Sequence, residues 1–133
     1  MVATSFVAAL LASSLSAATR YVSLDSPNPT PPYATWETAA RVIQDAVDTA
    51  KAGDTVLVTN GVYAVGERGY EWPVSGRVVV TNSIRLESVN GPLVTTIDGG
   101  GGMRCVYLGS NALLSGFTLT NGSGFLGGGV NQF

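Results

Sequence analysis

The sequence predicts an all-β fold of stacked coils, closed at its start by one amphipathic helix. Three observations predict it. Strand followed by Asn-Gly recurs in steps of about 30 residues, as "TNG" at 59–61, "VNG" at 89–91 and "TNG" at 120–122. Beyond Gly53 the apolar runs are short, punctuated by Gly and Asn, and show no helical period. A single apolar stripe at helical spacing comes before all of them. Asn-Gly is also the strongest hairpin signal, but hairpin-rich folds bring turn signals back every 8–12 residues or so. A period near 30 points instead to coils that bury their apolar faces on one another.

Composition sets the limits. The chain has 133 residues, 45% of them hydrophobic and only 12% charged, with 17 Gly, no His and a formal net charge of -2, which reads as one soluble β-leaning domain. Its seven Lys and Arg are spread singly, so no cluster could neutralise a row of phosphates and no nucleic-acid partner is expected. A single cysteine, Cys105, excludes an internal disulfide framework and a multi-thiolate zinc site. It lies within "RCVYL" and reads as a small core residue, since a His-free chain has no imidazole to activate it. No cofactor is expected.

Residues 1–18, "MVATSFVAALLASSLSAA", are uncharged and end in the small-residue triplet Ser16-Ala17-Ala18, which reads as a secretory signal cleaved after Ala18. The run is too short for a spanning helix and no stop-transfer charges follow it, so no membrane span is expected after its removal. Residues 19–34 form a strand and linker in which Pro27, Pro29, Pro31 and Pro32 favour an extended connection. The cap helix is expected over 35–52. Thr35 is its N-cap, Glu37 sits at the positive end of the dipole, Ala39, Ile43, Ala46 or Val47, and Ala50 form the apolar stripe, and Lys51 and Gly53 close it. Residues 53–133 then hold about three coils.

Overlaying residues 77–89 on 104–117, with one inserted residue, pairs Arg77 with Arg104, Val80 with Tyr107, Ser83 with Ser110, Leu86 with Leu114 and Val89 with Phe117. The Asn-Gly steps, Asn60-Gly61, Asn90-Gly91 and Asn121-Gly122, become bends where Gly accepts positive φ and stacked Asn side chains hydrogen-bond to one another.

The series "ATWETAARVIQDAV", "AGDTVLVTNGVY", "RVVVTNSIRLESVNGP", "RCVYLGSNALLSGFTLTNG" and "GGGV" resembles the N-terminal part of secreted bacterial right-handed parallel β-helix proteins of the pectin-lyase-like superfamily. The last stretch is also similar to repeats of polymorphic outer-membrane proteins. The resemblance covers residues 20–133. It implies a right-handed parallel β-helix (solenoid) with an N-terminal cap helix, and says little of function because that fold hosts enzymes, adhesins and spikes. Lyases of the superfamily use Asp clusters with calcium and an Arg base, and its polygalacturonases use several Asp with a His-Gly motif. Here Asp98 is the only acid from residue 88 onward, so no catalytic constellation and no metal site is expected, and Asp98 reads as a turn residue.

Ligand-binding candidates are few. Tyr63, Tyr70 and Trp72 flank the charged, Gly-rich "YAVGERGYEW" with its Arg68, an exposed sugar-stacking surface unless Trp72 packs on the coil beneath. Arg77 and Arg104, one coil apart, would offer paired forks to an acidic sugar, against the alternative of solvated edge positions. The match to G-x-G-x-x-G at 122–127 has no following helix and is discounted.

"GGGVNQF" breaks off inside a coil. An uncovered coil would leave apolar side chains in water at about 1.5–3 kcal/mol each, so the reading expects either the N-terminal fragment of a longer protein or an open end covered by another chain. The function expected is a non-catalytic, secreted or cell-surface module, structural, adhesive or glycan-binding, with a polysaccharide or a second copy of itself as partner. The alternative is the front of a polysaccharide lyase or glycoside hydrolase whose catalytic residues lie on later coils.

Overall fold

The computed structural model describes residues 16–71, 74–124 and 128–132. Most of the signal segment, residues 1–15, lies outside them, as does Trp72. The strands are β1 (Thr19–Val22), β2 (Thr55–Val58), β3 (Gly61–Tyr63), β4 (Arg68–Gly69), β5 (Ser75–Val80), β6 (Arg85–Ser88), β7 (Thr95–Asp98), β8 (Arg104–Leu108), β9 (Leu113–Ser115), β10 (Thr118–Thr120) and β11 (Val130–Gln132). One helix, α1 (Ile43–Thr49), stands between β1 and β2.

The strands form three small sheets, in the orders β1-β2-β6-β9, β3-β7-β10 and β4-β5-β8-β11. Neighbours are parallel throughout, except that β4 runs antiparallel to β5. Parallel partners lie far apart in sequence, as in Thr55 beside Arg85 and Arg85 beside Leu113. The connections between them are long, as parallel pairing requires. Val22, Val56, Val58, Val78, Val80, Leu86, Ile97 and Val106 interleave in one core between the sheets.

This architecture corrects the expected fold class. The expected all-β, right-handed parallel β-helix with a long cap helix is not what forms: the described residues make several small sheets, parallel and mixed, with one short helix and no solenoid. Local backbone demands explain two of the departures. Around Glu71 the chain turns back on itself, with Tyr70 N–H donating to Val74 O at 2.7 Å and Val74 N–H to Glu71 O at 2.7 Å, so β4 enters antiparallel. The helix begins at Ile43 rather than Thr35 because the preceding backbone is committed elsewhere. Ala40 bridges Val22, donating to Tyr21 O at 2.9 Å and accepting from Ser23 N–H at 2.8 Å. Thr35 still caps a turn, accepting from Thr38 N–H at 3.2 Å, but that turn does not propagate.

The expected stripe is buried, from Ala39 through Ile43, Ala46 and Val47 to Ala50. Gln44 is buried beside it. Its amide faces the outer edge of β5, accepting from Val79 N–H at 2.7 Å and donating to Val79 O at 3.1 Å, much as a neighbouring strand would. Gly53 takes the left-handed conformation expected of it, at φ +91°.

Ala18, the expected cleavage point, is part of the fold. Its N–H donates to Asp54 Oδ1 at 2.8 Å and its carbonyl accepts from Thr55 N–H at 2.9 Å.

Candidate ligand-binding site

The two halves of the expected overlay differ in register. Leu86 pairs with Leu114 as expected. In the neighbouring sheet Gly76, not Arg77, pairs with Arg104, and Val79, not Val80, pairs with Tyr107. A slip of one residue sends a side chain to the opposite face, so Arg77 and Arg104 do not stack as paired forks. Arg77 spends its guanidinium on main chain, with Nε donating to Asp98 O at 2.7 Å and Nη1 to Gly66 O at 2.7 Å. Arg104 is buried, and its Nε finds no protein partner among the described residues.

The remaining candidates separate. Tyr63 is buried and donates its hydroxyl to Thr59 O at 2.8 Å. Burial pushes its phenol up to about 12, so it is a core tyrosine and no sugar platform. Arg68 pairs with Asp48 on the surface. Tyr70 alone, of those described, stands as a surface ring.

What lies under Tyr70 was not foreseen. Tyr107, on the outward side of β8, packs against it with ring centroids 4.8 Å apart and planes tilted by 33°. Tyr107 is 7% exposed and Tyr70 36%, so the inner ring supports and the outer one is presented. Beside the pair opens a shallow cleft of about 360 Å³ lined by Tyr70, Thr81, Tyr107, Gly109 and Ser110. That volume is near the lower end for small-molecule sites, roughly 300–1,000 Å³. Burial pushes the Tyr107 phenol up, and the neighbouring Tyr70 and the Glu71 carboxylate add to it. Thr81 is exposed at the rim. Gly109 keeps the floor low: a Cβ there would lie 3.1 Å from Val80 O and 3.3 Å from Thr81 Cα.

A second hollow, of about 230 Å³, lies between Leu24, Val42 and the segment after β3, and its lining is largely apolar. Among the described residues no cluster of His, Cys, Asp or Glu is placed to hold a metal ion. Asp98 behaves as a turn former, accepting from Gly100 N–H at 2.7 Å and from the Asn121 amide. Cys105 is buried with its thiol on Thr120 O, and burial pushes that thiol up.

The Asn-Gly bends divide in the same way. Asn90 donates to Asn60 at 2.8 Å, the side-chain ladder expected, and Gly61 and Gly91 carry positive φ. Asn121-Gly122 is not the third member. It follows β10 in another sheet, Asn121 itself takes φ +52°, and the corner equivalent to Gly61 and Gly91 is Gly116 after β9, at φ +83°. A Cβ on Gly116 would meet Ser88 Oγ at 2.3 Å.

No protein-family model, no curated protein and no solved structure matches this chain.

Proposed function

We propose that this chain is a non-catalytic, extracellular glycan-binding module that holds a sugar ring against Tyr70. The observation that carries the reading is the Tyr70–Tyr107 pair beside its cleft: an exposed ring fixed by a buried one, with the exposed Thr81 at hydrogen-bonding reach of a ligand seated there. A rigid aromatic face offers a large contact at little entropic cost, and nearby polar groups orient what lies on it. Two of the acids support a non-catalytic role. Asp98 is tied into its turn, and Glu87 is paired with Arg85 at 2.9 Å. The uncharged, apolar opening of the chain supports export.

The test is calorimetric or NMR titration with xylo-, cello- and manno-oligosaccharides, for the wild type and Tyr70→Ala. Loss of an aromatic anchor costs about 2 kcal/mol, or roughly thirtyfold in Kd. Equal affinity of the two proteins would reject the reading.

A second reading, self-association with another copy, is favoured by the far margin of the sheets. Strands β9, β10 and β11 lie outermost, Leu113 and Val130 are exposed there, and no charged residue occurs after Arg104. Uncharged edges invite strand pairing. The opposite margin is covered by its own chain at β1 and β5, so the expected product is a twofold dimer of like edges rather than a fibre.

A further inference from the structure

We infer that the ligand of the Tyr70–Tyr107 cleft is an uncharged sugar, not the uronate that the sequence resemblance would suggest. The inference rests on the glycan-binding reading and narrows it.

Recognition of a carboxylated sugar needs guanidinium or ammonium groups aimed at it, usually as a two-pronged fork. None of the residues lining the cleft is cationic. The candidates elsewhere are committed. Arg77 donates to Asp98 O and Gly66 O, Arg68 pairs with Asp48, Arg85 with Glu87, and Arg20 with Asp54. Arg41 places two nitrogens on Ser26 O, at 2.9 and 2.6 Å. Arg104 is buried, and Lys51 lies beyond α1 beside Asp54, with which it interacts electrostatically. One charge next to the tyrosine pair is negative. Glu71 is exposed, follows Tyr70 directly, and acts on the Tyr107 phenol. Its backbone takes φ +42°, and its carbonyl accepts from Val74 N–H. A carboxylate next to Tyr70 repels an anionic ring and accepts hydrogen bonds from the hydroxyls of a neutral one.

The experiment compares the full chain against xylo- and cello-oligosaccharides and against oligogalacturonides of the same length, at low and high salt, with Glu71→Gln as the second protein. The expected result is binding of a neutral oligosaccharide that salt leaves unchanged, and at least tenfold weaker binding of the oligogalacturonide at low salt. Glu71→Gln should narrow that gap severalfold. Tighter binding of the oligogalacturonide, or a gap that Glu71→Gln does not change, overturns the inference while leaving a glycan site in place. Failure of both ligand classes to bind overturns the parent reading and the inference with it.

Discussion

The two margins of the sheets solve the same problem in opposite ways. At the N-terminal margin the free edges of β1 and β5 are met by groups from the same chain. The outer side of β1 bonds to Tyr33 O and to Ala40, and β5 is met first by β4 and then by the side-chain amide of Gln44. Asp54 ties the start of β1 to the end of the helix, accepting from Ala18 N–H at 2.8 Å and Lys51 N–H at 2.9 Å and pairing with Arg20 at 3.5 Å. At the other margin β9, β10 and β11 present their outer edges without a charged residue among them. Closing an edge takes spare chain and buried polar groups. The first 54 residues of this protein supply both at the N-terminal margin.

The largest effect should come from breaking the closed margin at Asp54. Asp54→Ala removes the acceptor of two part-buried backbone amides and one guanidinium, and should cost about 2–3 kcal/mol in denaturant unfolding. The carboxyl is subject to opposed influences. Burial pushes it up, and the Lys51 and Ala18 amides with the Arg20 and Lys51 charges outweigh that and hold it below the ordinary carboxylate value. A depressed pKa means stability present above the unfolded-state value near 3.8 and lost as pH falls through it to the folded-state value. Asp54→Asn should therefore lack that part of the acid loss. Parallel acid profiles of wild type and Asp54→Asn would show that the carboxylate charge is not what ties the margin.

Next in size is Gln44→Ala, which orphans both backbone groups of Val79 at a buried position, at about 2 kcal/mol. Hydrogen exchange sharpens the prediction: the Val79 amide should lose protection while Val56 and Leu86 amides keep theirs. Uniform loss would mean that Gln44 supports the core rather than an edge.

The smallest change in stability, within about 0.5 kcal/mol, is expected for Leu113→Lys on the bare margin, since Leu113 is exposed. Its effect should appear in light scattering instead. A charge on β9 should abolish concentration-dependent dimerisation, whereas Arg20→Leu at the covered margin should not create it. Dimers that survive Leu113→Lys would place the contact elsewhere.

Much of this was legible along the chain. The helical stripe, the left-handed Gly53, the buried Cys105 and the Leu86–Leu114 pairing all depend on periodicity or on a residue's own conformational needs, which sequence carries directly. The Asn60–Asn90 ladder was readable for the same reason. The third Asn-Gly was misread because Asn121-Gly122 and Ser115-Gly116 are both plausible bends, and only the sheet order shows which follows β9.

The candidate site was less legible. Tyr107 read as one more apolar residue of "RCVYL", and nothing local says that it faces outward beneath Tyr70, some 37 positions earlier (107 minus 70). Local chemistry by itself determined where strands, bends and the apolar helix face lie, because those depend on φ/ψ preference and spacing over a few residues. Register, edge closure and the fate of each arginine were decided only in three dimensions. Each turns on which distant backbone group satisfies a donor, and a one-residue choice in pairing Gly76 rather than Arg77 with Arg104 was enough to send two cations to opposite faces.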